Sequence, residues 1–133
     1  MIKGACLCGA VAFRLEGKAR DILGCHCGQC RKQSGFYWAA TSVADEGLVM
    51  EREDGLAWFR SSETARRGFC RICGSGLFWK PEDAPRTVVA AASLEPGHGL
   101  KMLAHVFLED KGDYYDIGDG LPQFARFSGG ENA

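Results

Sequence analysis

Seven cysteines in three tight groups constrain this chain more than any other feature: Cys6-Leu7-Cys8, Cys25-His26-Cys27-Gly28-Gln29-Cys30 and Cys70-Arg71-Ile72-Cys73. Cys-x-Cys and Cys-x-x-Cys spacings aim neighbouring sulfurs at one point, which suits a metal ion better than bonds to distant partners. A disulfide framework is the competing account of so many thiols, and it expects a secretory leader and usually an even cysteine count. The count here is seven, and the N-terminus has no charged region followed by an apolar one. The groups divide naturally into four plus three. Zinc closed by four thiolates is a structural site, whereas zinc held by three protein ligands keeps a position for water or substrate.

Cys8 and Cys70 lie 62 positions apart, so a metal shared by the pairs Cys6/Cys8 and Cys70/Cys73 would staple the first hairpin to one in the middle of the domain. Closing so long a loop costs entropy that the chain alone must meet, and metal binding offsets it. A redox role for Cys70 and Cys73 would expect a βαβ context, but their surroundings are strand-like and glycine-rich. Cys25, Cys27 and Cys30 need only a turn and the start of a helix to share a face, and their sequence neighbours supply no fourth thiol. His26, between two ligands, is expected to pack or hydrogen-bond behind the sulfurs. His98 and His105 are further candidates to approach this metal. Arg31 and Lys32 either face water or draw in an anionic substrate.

Between the cysteines, the segments read as short strands of alternating or β-branched and aromatic residues: Ile2–Cys6, Ala10–Leu15, Gly35–Thr41, Leu56–Arg60, Thr64–Phe69, Leu77–Trp79, Thr87–Ser93 and Leu103–Leu108. Each outer thiol pair then sits in a tight turn between two strands. Cys27–Ser34 is the one plausible helical turn, with Gly35 ending it. Phe36, Tyr37, Trp38, Trp58, Phe59, Phe78 and Trp79 are read as core aromatics, with a ligand cleft as the alternative use. At 133 residues the chain suits a single all-β domain over 1–128, with a fraying tail over 129–133. Its formal net charge of −1, with Lys and Arg scattered, lacks the footprint of a nucleic-acid binder. No run approaches the roughly 18–20 apolar residues of a membrane helix, so a soluble, cytoplasmic protein is expected.

Gly4-Ala5-Cys6-Leu7-Cys8-Gly9-Ala10-Val11, Cys25-His26-Cys27-Gly28-Gln29-Cys30-Arg31-Lys32 and Phe69-Cys70-Arg71-Ile72-Cys73-Gly74-Ser75 together resemble the glutathione-dependent formaldehyde-activating family, which includes centromere protein V. The segment from His105 through Phe124 is similar to that family's closing region. The resemblance implies a zinc-bound β-tent of twisted antiparallel sheets with two zinc ions. The structural ion falls on Cys6, Cys8, Cys70 and Cys73, and the catalytic one on Cys25, Cys27 and Cys30. It also implies carbon–sulfur lyase chemistry that joins glutathione, or a similar small thiol, to formaldehyde as S-hydroxymethylglutathione. His26, His105 and Tyr115 are candidate proton donors. Gly112-Asp113-Tyr114 departs from the family pattern, in which many members carry a small residue or proline followed by tryptophan. The rival reading is a non-catalytic, zinc-stabilised module that binds a thiol or a protein.

Overall fold

A computed structural model describes residues 1–127, and the tail expected over 129–133 lies outside them. Ten strands and one short helix follow in chain order: β1 (Ile2–Ala5), β2 (Ala12–Leu15), β3 (Ile22–Cys25), α1 (Gly28–Ser34), β4 (Trp38–Ala44), β5 (Leu48–Arg52), β6 (Leu56–Arg60), β7 (Ala65–Cys70), β8 (Gly76–Pro81), β9 (Arg86–Ala90) and β10 (Met102–Val106). They form a three-stranded sheet, β1-β2-β5, and a seven-stranded sheet, β10-β3-β4-β9-β8-β7-β6. The all-β expectation holds, with neither sheet closing into a barrel among the described residues. One pair departs from the antiparallel rule. β10 runs parallel to β3, pairing His105 with Gly24 and Val106 with Cys25.

Each outer thiol pair lies where a strand reverses. β1 and β2 pair from Ile2–Leu15 to Ala5–Ala12, which leaves Cys6 to Val11 as the turn. In that turn Gly9 has φ of 82°, and Gly74 has φ of 81° after Cys73. Both values are in the left-handed region, where glycine avoids a side-chain clash. α1 begins as its sequence suggests, with Cys27 as N-cap accepting the Cys30 amide on its sulfur, and Gly35 closes it by donating its amide to the Arg31 carbonyl.

The main core sits between the two sheets: Val11, Phe13 and Leu15 from β2 and its turn face Val43, Leu77, Phe78 and Val89 of the larger sheet. The rings of Phe13 and Phe78 meet edge to face at 5.1 Å. A Cβ on Gly4 would lie 2.5 Å from the Phe13 ring, so the strand passes there only without a side chain. Gly4→Ala is expected to destabilise the fold by about 1–3 kcal/mol through overpacking; urea unfolding measures it, and an unchanged midpoint would contradict it.

Three expected core residues are corrected. Trp58 is 37% exposed and Phe59 54% exposed, because β6 is the outermost strand of the large sheet. Trp58 covers Phe78 on one side and takes Arg66 over its ring at 4.2 Å. Phe36 is 43% exposed, lying before β4, which starts at Trp38. No helix of the described residues is long and apolar enough to cross a membrane.

Candidate metal centres

All seven thiols are free, and their sulfurs gather as the spacing suggests, four at one place and three at another. In the first group, Cys6, Cys8, Cys70 and Cys73 come from the two strand reversals, and their sulfurs all lie within 4.8 Å of one another. Cys6 to Cys8 and Cys8 to Cys70 are each 3.7 Å. A tetrahedron with Zn–S bonds of about 2.3 Å has edges of about 3.8 Å, so the donor set fits a zinc ion.

Backbone amides already point at these sulfurs: Val11 donates to Cys6 at 3.3 Å and Cys73 to Cys70 at 3.5 Å. Crowding makes full ionisation costly without a cation. Contacts with Ser75 draw Cys73 down to about 5. Cys8 is pushed up to about 11: the Ala10 amide lowers it, and burial with the sulfurs of Cys6 and Cys70 outweighs that.

The second group is assembled at one end of the large sheet. Cys25 ends β3, Cys27 caps α1 and Cys30 lies buried in its first turn, the three sulfurs again within 4.8 Å. Cys27 is lowered to about 2 by hydrogen bonds from Cys25 and then Cys30, while Cys25 is pushed far up by its contact with Cys27. Three such donors with no fourth thiol fit a metal that retains one open position.

Beside this triad is a cavity of about 260 Å³, to which Cys25, Cys27 and Cys30 contribute. The sequence reading missed the residue that reaches the triad from another strand. Arg67 of β7, only 7% exposed, donates from Nη2 to Cys30 Sγ at 3.3 Å and from Nε to Gln29 Oε1 at 2.6 Å. Its guanidinium lies 5.3 Å from the Trp38 ring centroid. Its only sequence signal was a charge in a strand where the other inward positions are apolar or small.

None of the three histidines approaches the sulfurs as a fourth ligand. His98 Nδ1 accepts the amide of Leu100 within its own loop, at 3.0 Å. His26, fully buried, turns away from the cavity and joins a chain of hydrogen bonds: Tyr115 hydroxyl to His26 Nδ1 at 2.5 Å, His26 Nε2 to His105 Nδ1 at 2.9 Å, and His105 Nε2 to Asp119 at 2.7 Å. His26 packs in the interior, one of its two expected uses, but its ring nitrogens bond Tyr115 and His105 and not the triad sulfurs; Asp119 is the member the sequence reading did not single out. The candidate proton donors His26, His105 and Tyr115 therefore sit together, but outside the cavity wall. Arg31 and Lys32 also stay off that wall, in the last turn of α1, where cations favour the helix C-terminus. In the departing segment, Tyr114 packs on Tyr115 and Phe36, beside the hydrogen-bonded chain.

The sequence model described as glutathione-dependent formaldehyde-activating enzyme matches residues 1–110. This chain belongs to that family. Within the glutathione-dependent formaldehyde-activating family, similarity extends to an uncharacterized lyase of Schizosaccharomyces pombe, 28% identical over 123 residues, spanning 92% of this chain and 89% of that protein. A crystal structure of a Rhodobacter sphaeroides protein superposes with a TM-score of 0.59 at 28% identity, covering 75% of this chain and 97% of that one.

Proposed function

We propose that this family member is a zinc-dependent carbon–sulfur lyase, joining glutathione or a similar thiol to an aldehyde such as formaldehyde in the cytoplasm. In this reading residues 1–128 act as one domain with two zinc ions. Cys6, Cys8, Cys70 and Cys73 hold the structural ion, and Cys25, Cys27 and Cys30 the exchangeable one. The observation that carries the proposal is the contrast between the two groups: one completes a four-sulfur set, the other offers three sulfurs beside a cavity. A bound zinc supplies Lewis acidity, which lowers the pKa of a thiol at its open position.

The reaction adds R–SH across the aldehyde C=O. A sulfur–carbon bond forms, the carbonyl π bond breaks, and the thiol proton ends on oxygen. The residues of the chain bind and orient the reactants. Arg67, anchored by Gln29, holds the Cys30 sulfur at the cavity edge and brings positive charge to where oxygen becomes negative. Trp38, Leu23 and Trp79 exclude water from the reacting atoms.

Cys27→Ser removes a triad sulfur without touching the other four, so the variant is expected to fold, to hold one zinc instead of two, and to lose at least about a hundredfold in rate above the spontaneous reaction. Metal analysis and initial rates of thiohemiacetal formation measure both. A wild-type rate with one zinc would overturn the proposal and leave a zinc-stabilised binding module.

A further inference from the structure

Resting on the thiol–aldehyde reading above, we infer that the thiol seated at the triad has an aromatic or branched aliphatic body, and that the cavity selects it over a charged tripeptide thiol such as glutathione. The wall beside the three sulfurs is built mostly from Leu23, Trp38, Trp79, Val88, Val106 and Phe107, with the half-exposed Phe127 completing it. These residues come from β3, β4, β8, β9, β10 and the segment after β10, so the apolar character belongs to the folded site and not to one run of sequence.

Most of the few polar groups in that wall already have partners. Gln29 accepts from Arg67 and donates to the Ser61 carbonyl, Arg67 also binds Cys30, and the Ser62 hydroxyl accepts the Thr64 amide. Arg20 donates to the Asp21 carbonyl at 2.6 Å. Among the described residues, no carboxylate lines the cavity. A tripeptide thiol carries two carboxylates and an ammonium group at neutral pH; this wall offers the ammonium no anion, and its two guanidiniums, Arg67 and Arg20, are already directed at Cys30, Gln29 and the Asp21 carbonyl, so charged groups leave water here with little in return.

A second cavity, about 590 Å³, shares Trp38 and Arg67 with the first and offers Gln33, Ser34, Ser75 and Ser93, but it includes none of the three triad cysteines. The space with polar groups is therefore the one without the reactive sulfurs. At about 260 Å³, the triad cavity is smaller than the roughly 300–1,000 Å³ typical of sites for drug-sized ligands, which favours one ring or a short branched chain.

The test measures binding of phenylmethanethiol and glutathione to the zinc-loaded full chain by tryptophan fluorescence, since Trp38 and Trp79 wall the cavity. Phenylmethanethiol is expected to bind at least tenfold more tightly. Ala40→Leu, which narrows the cavity, and Phe127→Ser, which alters an exposed side chain without disturbing the core, should each cut that preference at least threefold. Equal or tighter binding of glutathione, or a preference unmoved by both variants, overturns the inference and leaves the lyase reading standing. Tight, variant-sensitive binding of phenylmethanethiol with no acceleration of its addition to formaldehyde upholds the inference and brings down the lyase reading instead.

Discussion

Cys70→Ser is expected to abolish cooperative folding: a broad or absent thermal transition, loss of near-ultraviolet circular dichroism and low soluble yield. Cys70 is fully buried, ends β7 and packs in the main core with Val11 and Leu77. Its sulfur lies so close to Gly55 that a Cβ there would sit 2.7 Å away, and Gly55 in turn receives the Arg71 amide and donates to the Ala10 carbonyl. The sulfur is thus the point where three turns converge. Serine preserves the shape and removes the soft anionic donor. Structural zinc sites contribute on the order of 10 kcal/mol or more, against a total stability of about 5–15 kcal/mol for a domain, so the loss exceeds what packing retains. Stripping zinc from the unaltered chain with a strong chelator should give the same spectrum. A Cys70→Ser protein that melts sharply at the wild-type temperature with its zinc content intact would refute the assignment.

The thiol sites were legible in the sequence because their ligands arrive in local groups, so spacing brings the sulfurs of each group together, while the meeting of the Cys6/Cys8 and Cys70/Cys73 pairs across 62 positions is the work of the fold. Arg67 was not legible, since it reaches from β7 to Cys30 in α1 across 37 positions, a contact that only the folded sheet creates. The same holds for His26 and His105, which are 79 positions apart and meet because β10 lies alongside β3. Among the strands, Leu56–Arg60 is bounded as expected, while Ile22–Cys25 and Leu48–Arg52 were missed. The first is a four-residue apolar run already claimed by a cysteine motif, and runs so short do not reveal their period. The second ends in charged residues that pair across the small sheet, with Glu51 beside Arg14 and Lys3. Trp58 and Phe59 were misplaced because alternation gives the faces of a strand, not which face a neighbour covers.

His26→Ala should cost about 3–5 kcal/mol at pH 7.5, because it opens a cavity and strips partners from the Tyr115 hydroxyl and His105 Nδ1. With both imidazoles neutral, the chain of hydrogen bonds has one consistent polarity. Asp119, held below the usual carboxylate range by His105, accepts from His105 Nε2; His105 Nδ1 accepts from His26 Nε2, and His26 Nδ1 accepts from the Tyr115 hydroxyl. Burial, reinforced by His105 and Lys111, lowers His26 from 6.5 to about 4. The unfolded chain therefore binds a proton at this residue that the folded chain refuses, throughout the interval from about pH 6.5 down to about 4. Stability from His26 is complete above that interval, falls as the pH drops through it, and is gone below it, a loss of roughly 3 kcal/mol. Asp119 contributes separately at lower pH, since its folded carboxylate resists protonation below the ordinary value of 3.8. Urea unfolding at pH 7.5, 6 and 5 should show the decline in the parent protein. In His26→Ala the same series should be flatter, because the cysteines and their acid-sensitive metal are common to both proteins. Parallel declines would show that His26 is not the group responsible, whereas an imidazole proton signal that stays in its neutral position at pH 5.5 would locate the effect at this side chain.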